Sequence, residues 1–404
     1  MKEVDVFIIG AGPAGSIAGA KLVQDGFSVK VVDKLKMPRF VIGESLLPRC
    51  NELLEDANML HVVQDAGFQV KKGVAFENEE GDYVALDFSK NLGQKWGSSF
   101  QVKREVFDKL LIDDAEAKGC DVEYEIEVIA YDEEANVITV KDLEGKEEQY
   151  KAKKVLDASG YGRVLPRLLN LDAKPALAFR KATFARVDSD VRPEGETNGY
   201  IFAVVLGDNE GWMWNIPFSD GTSSVGIVCT EEHFLSFKMS DEEFWEYIVH
   251  THPYTRKRYK NSKRIVDVGS LSGYSSAVTK LFAKNYILTG NASEFLDPIF
   301  SSGVTLALES GAKAAELTAR ELKGESVDYQ SEYADYMMMG IDVFRDYVDA
   351  WYDGTLQTVL FSDKKNAEIT KKIVSILSGY VWDKNNSFVT SSKYALEKTY
   401  EMVK

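Results

Sequence analysis

Apolar runs of strand length alternate with stretches of helical periodicity along most of the chain. The first apolar run covers Val4–Ile9 and leads into a glycine-rich turn, which small residues at helical length follow. A second apolar run then ends in an acidic residue, Asp33. This order predicts a strand, a helix and a second strand. The chain therefore opens with a βαβ unit, the repeating element of doubly wound α/β sheets.

Beyond this unit the pattern predicts shorter strands first and helices later. The further predicted elements are a strand over 69–76 with an antiparallel partner over 83–88, a helix after residue 104, a β-meander over 121–150, a strand over 152–156, strands between 178 and 230, a helix over 241–248, a strand over 286–289, a long helix ending at 322 and helical periodicity beyond 326.

This succession predicts an α/β fold in which a Rossmann-like domain is interleaved with an antiparallel β-sheet domain. We expect the first part of the Rossmann-like domain, with inserted β segments, in residues 1–175 and its last part in residues 276–325. An antiparallel β substrate domain would occupy residues 176–275, and a C-terminal helical cap would occupy residues 326–404.

The glycine-rich turn has the spacing of a dinucleotide-binding turn. Gly10 permits a tight turn after the strand, Gly12 allows the backbone to approach a pyrophosphate, and Gly15 lets the helix pack closely on the sheet. Asp33 is placed to accept hydrogen bonds from a ribose hydroxyl. A glycine turn without any ligand is the alternative, but it leaves the acid in register unexplained.

Composition narrows the class of partners. The formal net charge is −16, so nucleic acid and anionic membrane surfaces are not expected as general partners. The three cysteines are widely spaced, and His250 and His252 lack a third ligand nearby, so neither a disulfide framework nor a metal site is predicted. No signal peptide precedes the first strand and no apolar run reaches the length of a membrane span. We therefore expect a cytoplasmic protein.

Four separated motifs resemble the FAD contacts of the group A flavoprotein monooxygenase fold, which is the para-hydroxybenzoate-hydroxylase-like superfamily. These motifs are the glycine turn with Asp33, Arg104 ahead of a helix, the segment Asp157–Gly160 and the run from Asn291 to Gly303. Asn291 stands where such folds carry an acid, although its amide can still hydrogen-bond a hydroxyl. The FAD-binding residues that the resemblance implies are Gly10, Gly12, Pro13, Ala14, Gly15, Asp33, Lys34, Ser45, Arg104, Asp157, Gly160, Asn291, Pro298, Ser302 and Gly303.

Within that superfamily the chain resembles the flavin-dependent halogenases. Residues 212–217 fit the W-x-W-x-I-P pattern, and residues 71–76 resemble the K-x-G-x-x-F stretch that holds the active lysine of these enzymes. By this spacing Lys71 is the better match and Lys72 is second. The segments 43–48 and 297–303 resemble those of members that act on phenols and pyrroles.

The resemblance implies a reaction and gives several residues roles in it. FADH2 and O2 would form a flavin hydroperoxide, halide would turn it into hypohalous acid, and an electron-rich phenolic or pyrrolic ring would be halogenated. Lys71 would hold or capture the oxidant, and Glu44 would accept or orient a proton at the ring. The backbone amides of Ser302 and Gly303 would bind the halide co-substrate.

The substrate would reach the lysine through a tunnel lined by Trp212, Trp214 and Phe300. Tryptophan-specific members carry a glutamate where this chain has Phe300, which favours a phenol or pyrrole over free tryptophan. The other implied partners are a separate flavin reductase and a small aromatic substrate, either free or carrier-bound.

The residues alone leave two other functions open. An FAD-dependent aromatic monooxygenase or dehydrogenase that uses NAD(P)H is the first alternative, and a flavin-binding module without turnover is the second. The two tryptophans could then be ordinary core aromatics, and Lys71 could be a solvated edge residue of its strand.

Overall fold

The computed structural model describes residues 1–207 and 210–404. Its strands, in chain order, are β1 Lys2–Ile9, β2 Val29–Asp33, β3 Gln69–Lys71, β4 Gly73–Glu77, β5 Tyr83–Asp87, β6 Ser99–Gln101, β7 Asp121–Tyr124, β8 Glu127–Asp132, β9 Val137–Lys141, β10 Glu147–Asp157, β11 Asp172–Ala173, β12 Arg180–Val187, β13 Ile201–Leu206, β14 Gly211–Pro217, β15 Ser223–Thr230, β16 Gly269–Ser272, β17 Ala277–Val278 and β18 Tyr286–Leu288. The helices are α1 Pro13–Gln24, α2 Pro48–Asp56, α3 Leu60–Gln64, α4 Arg104–Ala117, α5 Val164–Leu168, α6 Glu231–Ser236, α7 Asp241–Thr251, α8 Thr255–Arg258, α9 Ser302–Leu322, α10 Asp335–Tyr352, α11 Thr355–Phe361, α12 Ala367–Leu377, α13 Ser387–Thr390 and α14 Ser392–Val403.

The first sheet is the Rossmann-like sheet. Strands β7, β2, β1 and β10 lie side by side in parallel, and β18 continues the parallel arrangement on the far side of β10. The first half of β10 also pairs antiparallel with β9, which pairs with β8. The second half of β1 and the whole of β2 are buried, as is typical of parallel strands in a sheet that is covered on both faces.

The second sheet forms the wall opposite the Rossmann-like sheet. Its strand order is β16-β12-β15-β14-β13-β4-β5, and only the β13–β4 pair is parallel among these neighbours. Side chains alternate between its two faces. Trp212, Trp214 and Ile216 of β14 face the main core, whereas Met213 faces an outer core formed with α7. The tryptophans therefore point towards the Rossmann-like half of the molecule.

Helices α1 and α9 cross closely enough that no side chain fits at the contact. A Cβ atom on Gly311 of α9 would overlap the carbonyl oxygen of Ala14 in α1 and lie 2.9 Å from the Ala14 Cα. Helix α1 follows the glycine turn, and α9 follows Ser301. The glycine contact therefore places the N-terminus of α1 against the middle of α9.

The C-terminal helices pack on this arrangement through aromatic and ionic contacts. Trp351 of α10 lies with its ring centroid 5.3 Å from that of Phe76 in β4. Glu309 of α9 accepts two hydrogen bonds from Arg49, at 2.9 and 3.1 Å, and one of 2.7 Å from Tyr336. These contacts join the C-terminal region to α2 and α9.

The predicted fold class is confirmed, with local corrections. The strand expected over 69–76 breaks at Lys72 into β3 and β4, which belong to different sheets. The expected meander loses its first strand, because β7 pairs in parallel with β2. The strands expected near 148–150 and 152–156 are the single strand β10, whose first half alternates in polarity and whose second half is buried. Where these strands end and which sheet they join depends on their pairing partners, and a short apolar run does not specify its partner.

In the described part of the chain, no helix combines the length and the apolar character needed to cross a membrane.

We expect Gly311→Ala to lower the free energy of unfolding by about 1–3 kcal/mol, because the added methyl group pushes α1 and α9 apart. Urea denaturation of the purified protein measures this change. Glu316→Ala, at an exposed position of the same helix, is the control and should change stability by less than about 1 kcal/mol. Equal effects of the two substitutions would contradict the close contact.

Candidate active site

A cavity of about 630 Å³ extends from the glycine turn to the inner face of the second sheet. Gly10, Gly12 and Asp33 line one end, and Trp212 and Trp214 line the other. The cavity therefore lies outside the carboxyl ends of the parallel strands, which is where open α/β sheets bind their ligands.

The three glycines of the turn have different local reasons to be glycine. Gly10 has a φ of +107°, and a Cβ on Gly15 would overlap the Gly10 carbonyl oxygen. Gly12 has an ordinary φ of −79°, and a Cβ there would meet no atom within 4 Å. Because the fold itself leaves that space open, Gly12 fits a turn against which a pyrophosphate lies. Pro13 and Ala14, the first residues of α1, line the same end of the cavity.

Asp33 is fixed at the end of β2. Its carboxylate accepts hydrogen bonds from the backbone amides of Ala11 and Leu35, both at 2.9 Å, and Arg39 Nη2 lies 3.5 Å away. Lys34 also lines the cavity, but its ammonium forms an exposed ion pair of 2.7 Å with Glu127.

Two residues of the central cavity differ in how fully their polar groups are paired. Arg104 donates to the carbonyl oxygens of Ile42 (3.1 Å) and Gly43 (3.3 Å) and holds Asp108 at 2.7 and 2.9 Å. The hydroxyl of Ser45 is buried beside the cavity, and no hydrogen-bond partner for it exists among the described residues. A buried unpaired hydroxyl is costly, which fits a ligand atom bound at this point.

The Asp157–Gly160 segment shapes one wall of the cavity. The Asp157 carboxylate lies behind the wall and accepts hydrogen bonds from the amides of Ser159 (2.9 Å) and Leu165 (2.7 Å). Burial raises the pKa of this carboxyl group. Gly160 and Asn291 line the cavity directly, whereas Asp157 would act on a cofactor only by fixing the loop.

The start of α9 faces the cavity across from the glycine turn. Pro298, Ser301 and Gly303 line it, and Ser301 has a φ of +55° just before the helix begins at Ser302. The Ser302 side chain is buried, so the group of this residue that would bind an anion is its backbone amide. The first amides of a helix lack intrahelical partners and attract anions, so halide binding by Ser302 and Gly303 stays a prediction with suitable geometry.

A buried hydrogen-bond network holds the tryptophan wall. Trp212 Nε1 donates to the Tyr352 hydroxyl at 3.0 Å, and the hydroxyls of Tyr352 and Tyr274 each donate to Asp297 at 3.0 Å. Burial raises the pKa of the Asp297 carboxyl group. Sequence analysis missed Tyr352 and Tyr274, because no local pattern links residues so distant along the chain.

Glu44 lines the cavity and is fully buried. Its Oε1 accepts hydrogen bonds from Arg186, which also binds Glu105 in the first turn of α4. Burial raises the pKa of Glu44, and the Arg186 guanidinium opposes that shift. Sequence analysis missed Arg186, whose partner is 142 positions away.

Phe300 does not line the cavity. Its ring contacts those of Tyr347 and Trp351 in α10, with centroids 6.1 and 6.2 Å apart. The tunnel role of Phe300 therefore stays a prediction that rests on the resemblance.

Lys71 lies outside the cavity and is only 1% exposed. Its Nζ sits 5.3 Å from the centroid of the Phe88 ring. Among the described residues no carboxylate forms an ion pair with this ammonium and no acceptor receives a hydrogen bond from it. Burial lowers the pKa of Lys71 to about 7. Lys72, by contrast, is exposed.

Gly12→Ala should weaken FAD binding at least about tenfold while the thermal stability of the FAD-free protein stays unchanged, because the methyl group fills space that only a ligand needs. Titration of FAD by flavin fluorescence and thermal unfolding without FAD measure the two effects. Gly15→Ala is the contrast, because it should lower stability as well. A Gly12→Ala protein that binds FAD normally would contradict this assignment.

Replacing Lys71 with Met should change how stability depends on pH. Between about pH 7 and pH 9 the wild-type folded state binds fewer protons than the unfolded state, since Lys71 is neutral only when buried. The free energy of unfolding of the wild type should therefore rise relative to Lys71→Met by up to about 1.4 kcal/mol per pH unit. Denaturant titrations at several pH values measure this, with Lys72→Met as the control. Parallel curves for wild type and Lys71→Met would contradict a lowered pKa.

Comparisons with known proteins agree with this geometry. The sequence model of the tryptophan halogenase family matches residues 5–100 and 89–400 of the chain. A 1H-pyrrole-2-carbonyl-[peptidyl-carrier protein] brominase from Pseudoalteromonas luteoviolacea is 28% identical over 401 residues, which cover 95% of this chain and 93% of that protein.

Two solved structures are similar over nearly the whole length. A flavoprotein/dehydrogenase from Cytophaga hutchinsonii is 40% identical with a TM-score of 0.96, and the match covers 100% of this chain and 99% of that one. The flavin-dependent brominase Bmp2 is 25% identical with a TM-score of 0.87, and the match covers 98% and 99% of the two chains. The chain belongs to the tryptophan halogenase family of FAD-dependent oxidoreductases.

Proposed function

We propose that this protein halogenates an electron-rich phenolic or pyrrolic ring and that Lys71 and Glu44 are its catalytic residues. The observation that carries the proposal is the burial of Lys71, an ammonium group without a carboxylate partner among the described residues, at the position that matches the family lysine. Such a group is expensive to bury, and perturbed groups of this kind cluster at functional sites.

Bound reduced FAD, together with O2 and halide, supplies the electrophilic halogen. The residues that would hold the cofactor are those of the glycine turn, Asp33, Ser45, Arg104, the 158–162 segment, Asn291 and the 298–303 segment. The open space at Gly12 and the unpaired Ser45 hydroxyl support this fit.

A lysine with a pKa near 7 can act in two ways at neutral pH. Its protonated form donates a hydrogen bond to hypohalous acid and keeps the halogen electrophilic. Its neutral form has a free lone pair that can capture the halogen. Both forms of Lys71 are populated near pH 7, so the buried position supports either route.

Glu44 suits a role at the ring proton. Its Oε1 accepts hydrogen bonds from Arg186, whereas its Oε2 has no hydrogen-bond partner within the described structure. The nearby Ser224 hydroxyl favours the charged form of the Glu44 carboxyl group. A buried carboxylate facing the cavity could orient a phenol hydroxyl or a pyrrole N–H, and it could accept the proton that the ring loses.

The relatives support a finer proposal on substrate delivery. The Pseudoalteromonas relative acts on a pyrrole held by a peptidyl-carrier protein, which supports a carrier-bound aromatic ring for this protein as well. We also propose that a separate flavin reductase supplies FADH2, as the resemblance to two-component halogenases implies.

A second candidate function comes from the Cytophaga structure. That protein is described as a flavoprotein/dehydrogenase and is 40% identical to this chain. Its name favours a dehydrogenase, so the second candidate for this chain is an FAD-dependent dehydrogenase, which would take its electrons from NAD(P)H. Direct reduction of the bound flavin by NADPH would distinguish this candidate from a halogenase that depends on a reductase.

We expect Lys71→Ala to lose aromatic halogenation by at least about a hundredfold while bromide-dependent trapping of the oxidant persists, because Lys71 acts after the oxidant forms. The assay mixes FADH2-loaded protein with oxygenated buffer, with and without bromide and a dimedone-type trap. Lys72→Ala is the matched control, since the neighbouring lysine is exposed and should leave both readouts unchanged.

Two results would contradict the proposal. Equal losses in the Lys71 and Lys72 variants would remove Lys71 from its catalytic role. Identical flavin oxidation with and without bromide, together with direct reduction by NADPH, would replace the halogenase by the monooxygenase or dehydrogenase.

A further inference from the structure

The two carboxylate oxygens of Glu44 lie in different surroundings. Oε1 accepts two hydrogen bonds from the Arg186 guanidinium, one from Nε at 3.0 Å and one from Nη2. Oε2 is buried and has no hydrogen-bond partner in residues 1–207 and 210–404. Because Glu44 lines the cavity, Oε2 is the oxygen that remains available to a molecule bound there.

The main chain around Glu44 is fixed independently of Arg186. The Glu44 carbonyl oxygen accepts a hydrogen bond of 2.7 Å from the Val102 amide, and the Leu46 amide donates to the Phe100 carbonyl oxygen at 3.0 Å. These two bonds hold the backbone on either side of the residue, but they do not orient its carboxylate. The orientation of the carboxylate therefore depends on Arg186.

Arg186 is itself held on its other side. Nη2 donates to Glu105 Oε2 at 2.7 Å, and Nη1 donates to Glu105 Oε1. The Phe40 ring lies over the guanidinium, with its centroid 4.9 Å from Cζ. The planar guanidinium presents its donors in fixed directions, so one arginine can bind two carboxylates at once. The position of the guanidinium next to Glu44 is therefore set by α4 and by Phe40.

The three side chains place one positive charge between two carboxylates. Burial raises the pKa of Glu44, the Arg186 guanidinium opposes this shift, and the charge of Glu105 adds to it. The positive charge of Arg104 also acts on Glu44, but the Arg104 guanidinium is bound to Asp108. Arg186 is therefore the charge that keeps the buried Glu44 carboxylate able to accept a proton.

We propose that Arg186 is a positioning residue, which binds one oxygen of Glu44 and leaves the other to accept the proton of the aromatic ring, and that Glu105 anchors Arg186 for this purpose. This inference rests on the proposed function. Once the ring carbon has bound the halogen, its C–H bond breaks, the electron pair restores the aromatic system, and the proton moves to Glu44 Oε2. Arg186 acts only through Glu44.

Infrared spectroscopy of the FAD-loaded protein follows the protonation of Glu44 without turnover. The band of its protonated carboxyl group is identified by its absence in Glu44→Gln, and its intensity is recorded against pH. We expect Arg186→Gln to raise the ratio of protonated to ionised Glu44 at a given pH at least about tenfold, because the carboxylate loses its counter-ion. Glu105→Gln should lower this ratio, because it removes a negative charge while Arg186 still binds Glu44. Loss of structure alone would not produce opposite changes.

Two further variants control for the loss of a buried arginine. Arg186→Lys keeps the positive charge, so its ratio of protonated to ionised Glu44 should lie between those of the wild type and Arg186→Gln. Arg258 forms a similarly buried ion pair with Asp190 away from the cavity, so Arg258→Gln should leave Glu44 unchanged. Equal protonation of Glu44 in the wild type and Arg186→Gln would overturn the inference. An equal rise in Arg258→Gln would overturn it as well.

Halogenation assays with bromide and resorcinol as the probe ring separate the failures. The loss of kcat/KM in Arg186→Gln should be at least about tenfold greater at the acidic end of the pH profile than at the alkaline end, because only ionised Glu44 accepts a proton. An equal loss at every pH would make Arg186 merely structural and overturn the inference, while the proposed function stands. If no bromide-dependent oxidant reaches the dimedone-type trap, the proposed function fails and the inference fails with it.

Discussion

The close crossing of α1 and α9 is the constraint on which the site depends. Gly311 leaves no room for a side chain against Ala14, so the two helices approach backbone to backbone. The N-terminus of α1, after the glycine turn, and the N-terminus of α9, after Ser301, both face the cavity. Both ends favour negative charge. The N-terminus of α1 can therefore bind a pyrophosphate, and the N-terminus of α9 can bind a second anion.

Buried charge is treated in two ways around this cavity. Glu44, Arg186 and Glu105 form a network in which each charge has a partner, which offsets the cost of desolvation. Lys71 has no such partner among the described residues, and its lowered pKa is the consequence. A protein gains no stability from an unpaired buried ammonium. The contrast between this paired network and the unpaired Lys71 therefore supports a chemical role for Lys71.

One hydrogen-bond network holds the tryptophan wall of the site. Trp212 is held by Tyr352, and Tyr352 is held by Asp297, so the second sheet, α10 and the loop before α9 share one network. The wall residues come from three separate parts of the chain. Any movement of the C-terminal helices would thus be felt at the tryptophan wall.

The sequence by itself determined the βαβ unit, the glycine turn with Asp33 and the long helix after Ser301, because local periodicity and motif spacing encode them. Only the tertiary structure decided that β7 joins the parallel sheet, that β3 and β4 separate at Lys72, and that Phe300 turns away from the cavity. It also supplied the partners Arg186, Tyr352 and Tyr274. These features depend on contacts between residues far apart in the chain, and local patterns carry no information about which distant elements meet.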